Sequence, residues 1–376
     1  MDKKINLKKI LSANFFEFPK SRFTNSRIAR KFFFFNSKHE IKSPAVYICN
    51  KTMPYDKFLI ASALFGNFVF LNDDVILKLH RNTLSKQEKT ELLSEIKLLV
   101  DNGYSLVVFP EKNYTIFGEC ERLPQSVTEF LFETKLDLRF FYLIGTYFAK
   151  PVWSNQVRKC ETRYSQQFRI SHTELAEKSV ENRNNAINNL MPSSASIYAQ
   201  KFSLLIKNES RAENIDSIVY CCPKCKSFFS IYSEFSCLKC RNCGSFIEFS
   251  NDGKIMFSNE IESFDDIEPF LFNTLKKYNF TIKAIVTYDN IKLIKETEDG
   301  KPEIFKDVNL EIYADKFVFV ANDKKRTFNI SEVEELALEQ NNTLFVKAKK
   351  EEFRLQGEHK ENLFILIHLL KLYRQN

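Results

Sequence analysis

Short apolar runs of strand length alternate with helix-like segments between residues 44 and 145. The runs read AVYIC, NFVFLN, YSLVVFPE and DLRFFYLIG, and the segments between them read PYDKFLIASALF, SKQEKTELLSEIKLLVDNG and QSVTEFLFETK. The middle segment begins with a capping box, Ser85 with Glu88, and has Gly103 where a helix should end. Strands interleaved with helices of this length predict an α/β domain with a central, largely parallel sheet.

The pattern changes after about residue 258. A helical segment, EIESFDDIEPFLFNTLKKY, precedes short alternating runs that include FTIKAIVTY, VNLEIYA, FVFVA and RTFNI, and the chain ends in the amphipathic segment KENLFILIHLLKLYRQN. Alternation of this kind predicts a small, mostly antiparallel β domain with a C-terminal helix. In outline this arrangement resembles a PH-like domain.

Six of the nine cysteines fall within the stretch CCPKCKSFFSIYSEFSCLKCRNCG. Two CxxC pairs separated by fourteen residues match the tetrahedral four-thiolate coordination of zinc in a β ribbon. The predicted ligands are Cys222, Cys225, Cys240 and Cys243. Cys237 could form a CxxC pair with Cys240 instead, but Gly244 eases the turn after Cys243 and favours Cys243. Four thiolates leave no open coordination position, so the zinc is expected to be structural.

Positive charge is concentrated at the start of the chain. Residues 1–42 hold eleven Lys/Arg and three Asp/Glu, a net charge of +8, whereas the whole chain carries +7. Phenylalanines are interleaved with these cations, as in RIARKFFFFNSK, which predicts binding to an anionic membrane surface. The alternative is that the rings pack on the domain behind them. Residues 218–250 hold four Lys/Arg and two Glu, too little charge for nucleic acid to be an expected partner.

The chain shows no segment suited to crossing a membrane. Its longest uncharged apolar run, Phe58–Leu71, has 14 residues, and a spanning helix needs ~18. The N-terminus lacks an uninterrupted apolar segment with a cleavage site, so no signal peptide is predicted. We therefore expect a cytoplasmic protein that is peripheral to a membrane. The expected parts are a basic aromatic segment at 1–42, an α/β domain at 43–215, a zinc ribbon at 216–252 and a C-terminal α+β domain at 253–376.

Two polar loops follow apolar strands of the predicted sheet. Asn50 and Lys51 come directly after AVYIC, and Asp56 lies near the first turn of the next helix. Pro110 and Glu111 follow the strand in YSLVVFPE. Because ligands collect at the carboxyl ends of parallel strands, we expect the two loops to meet at one edge of the sheet.

These loops, CNKTMPYD and VVFPEKN, resemble those of the glycerophospholipid acyltransferase family, which includes the 1-acylglycerol-3-phosphate acyltransferases. That family carries an Asn-His-x4-Asp loop and a Phe-Pro-Glu-Gly loop. Asn50 and Asp56 match the first, and Phe109, Pro110 and Glu111 match the second. Some bacterial members carry a zinc ribbon after the acyltransferase domain, an order that this chain resembles.

The resemblance covers roughly residues 20–160 and implies an acyltransferase-like layered fold. It implies transfer of an acyl chain from acyl-CoA or acyl-carrier protein to a glycerophosphate or lysophosphatidate hydroxyl, in phospholipid biosynthesis. In the family the His is the general base, the Asp orients it, and the Phe-Pro-Glu loop helps to bind glycerophosphate. The implied catalytic positions are Lys51, Asp56 and Glu111, and the implied substrate-binding positions are Asn50, Phe109, Pro110 and Lys112.

The chain departs from the family pattern at two positions. Lys51 stands where the family has its His, and Lys112 stands where it has Gly. The pKa of a lysine starts about three units above that of an effective general base, and Asp56 would stabilise the ammonium form further. We therefore expect a Lys51–Asp56 ion pair rather than a base. His80, the nearest downstream histidine, is a weak candidate for that role.

Two classes of function follow from these residues. The first is an acyltransferase with a divergent base. The second is a non-catalytic relative, a pseudoenzyme that binds an acidic lipid headgroup at the membrane, in which Lys51 and Lys112 add positive charge where the phosphate would lie. A weaker third hypothesis is a zinc-ribbon nucleic-acid binder.

Overall fold

The alternation of strands and helices is present in the structure, a computed structural model that describes residues 11, 14–20, 27–30, 39–192, 194–256, 264–278, 284–295, 301–321, 324–339, 342–358 and 361–375. The chain divides into two units. Unit 1 comprises Met1–Ala149 with Lys159–Leu204, and unit 2 comprises Lys150–Arg158 with Leu205–Asn376. The domain boundaries expected from the sequence stay predictions.

A mixed sheet forms the centre of unit 1. Its described strands, with a short separate pair, are β1 (Phe16–Glu17), β2 (His39–Glu40), β3 (Val46–Ile48), β4 (Leu64–Phe65), β5 (Phe68–Leu71), β6 (Ser105–Val108), β7 (Leu138–Ile144) and β8 (Arg163–Ile170). The strand order is β1-β5-β6-β3-β7-β8, and β2 pairs with β4 outside it. Strands β5, β6, β3 and β7 run parallel, while β1 and β8 are antiparallel to their neighbours. The largely parallel sheet predicted from the sequence is therefore confirmed.

Helices cover this sheet. Between residues 39 and 204 they are α1 (Asp56–Ala63), α2 (Asp73–His80), α3 (Lys86–Asp101), α4 (Gln125–Glu133), α5 (Thr146–Ala149), α6 (His172–Ala176), α7 (Val180–Asn189) and α8 (Ala195–Lys201). Helix α3 begins at the predicted capping box, in which the Glu88 amide donates to Ser85 Oγ at 3.2 Å. Gly103, at φ +76°, follows the end of the helix, as predicted. Leu92, Ile96 and Leu99 are the buried stripe of α3 and pack in the core.

The register of the parallel strands positions the two polar loops. Tyr47 lies opposite Val107 and Ile48 lies opposite Val108, and the Cys49 amide donates to the Val108 carbonyl at 2.9 Å. Both strands are fully buried. The residues that follow them therefore leave the sheet side by side at its carboxyl edge.

The basic N-terminal segment lies largely outside the described residues. Its described part includes β1, which adds an antiparallel edge strand to the sheet, and Phe15 and Phe16 are both buried. For these two rings the structure supports packing on the domain rather than exposure to a membrane. Across the described parts of the chain, every helix is too short or too polar to cross a bilayer.

Unit 2 contains two antiparallel sheets in its described part. The ribbon strands are β9 (Ile231–Glu234), β10 (Cys237–Cys240), β11 (Phe246–Phe249) and β12 (Ile255–Met256). The larger sheet consists of β13 (Val286–Lys295), β14 (Glu303–Ile312), β15 (Lys316–Ala321), β16 (Lys324–Asn329), β17 (Val333–Glu339), β18 (Thr343–Ala348) and β19 (Glu351–Gln356). The ribbon has the order β12-β11-β10-β9, and the larger sheet has the order β16-β15-β14-β13-β19-β18-β17.

The described residues of unit 2 also form two α-helices, α9 (Ile267–Lys277) and α10 (Ile365–Gln375). Helix α10 buries Leu366, Leu369 and Leu370 on one side, in keeping with its amphipathic sequence. The predicted antiparallel β domain with a C-terminal helix is thus present.

Candidate functional site

Asn50, which follows β3, is anchored to the neighbouring strand β7. Its Nδ2 donates to the Leu143 carbonyl at 3.0 Å, and its Oδ1 accepts from the Leu143 amide at 2.7 Å. The side chain is buried. Because both ends of the amide are bonded to the main chain of β7, Asn50 fixes the start of the first loop.

Asp56 closes this loop from the other end. It is the first residue of α1, and its Oδ2 accepts from the amides of Thr52 at 2.6 Å and Met53 at 2.8 Å. The Thr52 hydroxyl lies 3.2 Å from both carboxylate oxygens and 2.7 Å from the Thr146 hydroxyl. The Asp56 carboxylate is therefore turned toward the backbone of its own loop.

Glu111 supports the same loop from the segment that follows β6. It is buried, and its Oε2 accepts from the Lys51 amide. Together with Asp56 it takes up three consecutive amides, those of residues 51, 52 and 53. A run of amides pointing to one side is a typical anion-binding arrangement in proteins. Here the acceptors are carboxyl groups of the protein itself.

Both carboxyl groups have raised pKa values. Burial raises the pKa of Asp56 to about 7, although hydrogen bonds from Met53 and Thr52 oppose the shift. Burial also raises the pKa of Glu111 to about 8 against the hydrogen bonds from Lys51 and Cys120, and the charge of Asp56 adds to the rise. Desolvation therefore outweighs hydrogen bonding at both groups.

The prediction of a Lys51–Asp56 ion pair is wrong. Lys51 Nζ lies 3.7 Å from Asp73 Oδ1, donates to the Lys112 carbonyl at 3.4 Å, and stands 5.2 Å from the centre of the Tyr114 ring. Asp73 occupies the first turn of α2. The Asp56 carboxylate is held by amides, so the ammonium group is paired with the carboxylate at the start of the next helix.

The second loop contributes mainly through its backbone and one ring. Phe109 is buried and stacks on Phe70 with ring centres 6.2 Å apart. The Pro110 carbonyl accepts a hydrogen bond from His80 Nε2 at 2.8 Å, and the Lys112 carbonyl accepts from Lys51. His80 thus supports the Phe-Pro-Glu loop and is not among the residues that line the adjacent cavity.

A cavity of about 230 Å³ opens beside the two loops. Its apolar wall includes Phe58, Phe70 and Phe109, together with Met53 and Ala61. Six charged side chains also line it, namely Glu17, Lys20, Lys51, Asp56, Lys57 and Asp73, and Pro19, Pro54 and Tyr114 complete the lining. Of the predicted site residues, three line the cavity, namely Lys51, Asp56 and Phe109. The other four lie in the loops beside the cavity and do not line it, namely Asn50, Pro110, Glu111 and Lys112.

An ion-pair network runs along one side of the cavity. Asp73 bridges two lysines, with Oδ1 at 3.7 Å from Lys51 Nζ and Oδ2 at 3.4 Å from Lys57 Nζ. Glu17 of β1 adds a contact of 2.9 Å to Lys57. Burial lowers the pKa of Lys57, but Asp73 and Glu17 together outweigh it and leave the pKa raised. Lys51 and Lys57 are therefore matched by carboxylates of the protein.

The four predicted zinc ligands lie close together in unit 2. The sulfur atoms of Cys222, Cys225, Cys240 and Cys243 all lie within 4.8 Å of one another. The Sγ–Sγ distance is 3.8 Å for Cys222–Cys243 and 3.7 Å for Cys225–Cys240. A tetrahedral zinc ion with Zn–S bonds of ~2.3 Å requires sulfurs about 3.8 Å apart. The geometry fits such an ion, and Cys243 rather than Cys237 completes the cluster.

Equivalent turns build both halves of this cluster. The Lys226 amide donates to the Cys222 carbonyl at 2.9 Å, and the Gly244 amide donates to the Cys240 carbonyl at 3.0 Å. Lys226 and Gly244 have φ values of +58° and +67°. The glycine therefore stands where the turn requires a left-handed residue, as the sequence predicted.

The chain matches no known protein family, and no curated protein resembles it in sequence. Among solved structures, the 1-acyl-sn-glycerophosphate (LPA) acyltransferase of Thermotoga maritima is similar, with 14% identity and a TM-score of 0.33. The match covers 49% of this chain and 77% of that protein. Similarity at this level is too weak to assign an activity.

Sequence reasoning missed the partners of the lysines. Lys57 follows Asp56 directly, and Asp73 comes two residues after β5. Because β5 is parallel to β6, its carboxyl end lies at the same edge of the sheet as both loops. The position of Asp73 after an apolar strand was the signal that could have found it.

Proposed function

We propose that unit 1 is an acyltransferase-like domain whose cavity binds a phosphate-bearing lipid headgroup and does not catalyse acyl transfer. One observation carries the proposal. Lys51 stands where the acyltransferase family has its catalytic His, and the Lys51 ammonium group is paired with Asp73. The Asp56 carboxylate, which would orient a base, is bonded to two loop amides instead. A charged lysine attracts a phosphate and cannot remove a proton from a hydroxyl.

The lining of the cavity supports an amphipathic ligand. Lys20, Lys51 and Lys57 supply ammonium groups, and Phe58 and Phe109 supply apolar surface. The volume of about 230 Å³ is below the ~300–1,000 Å³ of typical ligand pockets. The cavity would hold a headgroup and the first carbons of a chain, with the rest of the acyl chain outside.

The proposal is tested by titrating the full-length protein with glycerol 3-phosphate and with lysophosphatidate in a calorimeter. We expect saturable binding, weakened about tenfold by Lys51→Ala or Lys57→Ala because a hydrogen bond to a charged group contributes ~1.5–3 kcal/mol. Lys78→Ala is the matched control, since Lys78 pairs with Glu88 and does not line the cavity. Equal affinity in all three variants would contradict the proposal.

A second candidate function is a working acyltransferase in which Asp56 is the general base. The raised pKa of Asp56 favours this candidate. A carboxyl group with a pKa of about 7 is suited to proton transfer at neutral pH. We expect the native protein to transfer acyl chains from acyl-CoA or acyl-carrier protein to glycerol 3-phosphate or lysophosphatidate only at the uncatalysed rate. Turnover well above that rate, abolished by Asp56→Asn, would establish the enzyme instead.

For unit 2 we propose a structural zinc ion in the ribbon and a PH-like fold for the larger sheet. The four sulfurs in tetrahedral spacing support the zinc, and the antiparallel strands closed by α10 support the PH-like fold. Binding of the basic segment, residues 1–42, to an anionic membrane stays a prediction, as does a cytoplasmic location.

A further inference from the structure

The carboxylates around the cavity fall into two kinds. Asp56 is buried and fixed by amides. Asp73 and Glu17 are exposed over 45% and 44% of their side chains. Asp73 contacts the ammonium groups of Lys51 and Lys57, and Glu17 contacts that of Lys57. The Lys51 and Lys57 side chains are only 12% and 23% exposed, so a carboxylate can turn to solvent at small cost only when another anion takes its place beside the lysine.

Asp73 is placed as a phosphate would be. Its two oxygens face two different ammonium groups, Lys51 at 3.7 Å from Oδ1 and Lys57 at 3.4 Å from Oδ2. A phosphate bound between these lysines would present two oxygens in the same way. The carboxylate therefore occupies the position that an anionic ligand needs.

We propose that Asp73 is an internal counter-ion that the ligand must displace, and that this displacement selects phosphomonoesters over phosphodiesters. The inference rests on the proposed function of the cavity. A phosphomonoester carries about two negative charges above its second pKa of ~6. It replaces the single charge of Asp73 with a larger one, and charge-assisted hydrogen bonds to both lysines then form. A phosphodiester carries one charge, so its exchange with Asp73 gains nothing electrostatically.

Glu17 acts in the same direction on one of the two lysines. Its Oε2 lies 2.9 Å from Lys57 Nζ. It contacts Lys57 and not the pair, so its removal should have a smaller effect than removal of Asp73. This ranking separates a specific counter-ion role from a general change in the charge of the surface.

The test is a calorimetric titration of the full-length protein with glycerol 3-phosphate, a monoester, and glycerophosphocholine, a diester. In Asp73→Asn we expect glycerol 3-phosphate to bind about five- to tenfold more tightly, since the Asp73 carboxylate no longer competes for Lys51 and Lys57. Glycerophosphocholine, which should not bind the native protein measurably, should become detectable. Glu17→Gln should strengthen monoester binding by a smaller factor.

Asp74→Asn is the matched control, because Asp74 lies in the same first turn of α2 and does not line the cavity. Its affinity for glycerol 3-phosphate should equal that of the native protein. Circular dichroism of each variant checks that it is folded. Tighter binding in Asp73→Asn than in Asp74→Asn supports the inference.

The outcomes separate this inference from the proposed function. If the native protein binds glycerol 3-phosphate and Asp73→Asn binds it equally or less tightly, the counter-ion role is overturned and the headgroup site stands. If only Asp73→Asn and Glu17→Gln bind, the counter-ion role holds and the native chain does not use the site for this headgroup. If no variant binds either compound, both ideas are overturned.

Discussion

Replacing Cys222 by serine is expected to release zinc from the ribbon and to unfold that segment. The sulfurs of the four cysteines lie within 4.8 Å of one another, so removing one leaves three thiolates without the closed tetrahedral site. Zinc binding to structural sites of this kind is worth about 10–16 kcal/mol at neutral pH, and much of that free energy is folding free energy. Elemental analysis should find one zinc ion per chain in the native protein and far less in Cys222→Ser.

Cys237→Ser is the control for this experiment. Cys237 lies at the start of β10, three residues before Cys240, but outside the cluster. We expect its zinc content and its circular dichroism spectrum to equal those of the native protein. Native protein without zinc, or zinc lost equally in both variants, would contradict the assignment of the four ligands.

The free energy of unfolding contributed by Asp56 and Glu111 is expected to fall as pH rises from about 4 to about 8. Their folded pKa values, about 7 and about 8, lie above the ~3.9 and ~4.3 of unfolded chains. Across that range the folded state therefore binds more protons than the unfolded state, and stability decreases with rising pH. At 1.36 kcal/mol per pKa unit, ionisation of each group should lower the free energy of unfolding by on the order of 4 kcal/mol.

Urea unfolding at a series of pH values, with zinc held in excess, measures this effect. The stability of Asp56→Asn and Glu111→Gln should depend less steeply on pH than that of the native protein between pH 5 and 8. Glu91→Gln is the control, since Glu91 is an exposed carboxylate on α3. The prediction is wrong if the native protein and the Asp56 and Glu111 variants share one pH profile.

Features set by neighbours in the sequence could be predicted. The capping box of Ser85 and Glu88, the end of α3 at Gly103 and the turn at Gly244 depend on a few adjacent residues. The arrangement within each CxxC pair is also local, because two cysteines three residues apart in a tight turn point their sulfurs to the same side. The central sheet was also predictable, since buried parallel strands have continuous apolar runs.

Which side chains meet across the site could not be predicted in the same way. The sequence suggested a pairing of Lys51 with Asp56, five residues away, yet the structure pairs Lys51 with Asp73. The resemblance implies that Asn50 binds substrate, which stays a prediction, but nothing in the sequence indicated that both ends of its amide are bonded to β7, 93 residues away. These partners depend on strand order and on the orientation of each side chain.

The sequence by itself determined the strands, the two polar loops at one sheet edge and the cysteine cluster. Only the tertiary structure decided that Glu111 takes up the Lys51 amide, 60 residues away, and that Asp73 and Glu17 pair with Lys51 and Lys57. The physical reason is how far apart the interacting residues lie along the chain. Periodicity and turns follow from local backbone geometry, whereas a buried carboxylate bonds to whichever donors the packing of distant strands brings within 3 Å or so of it.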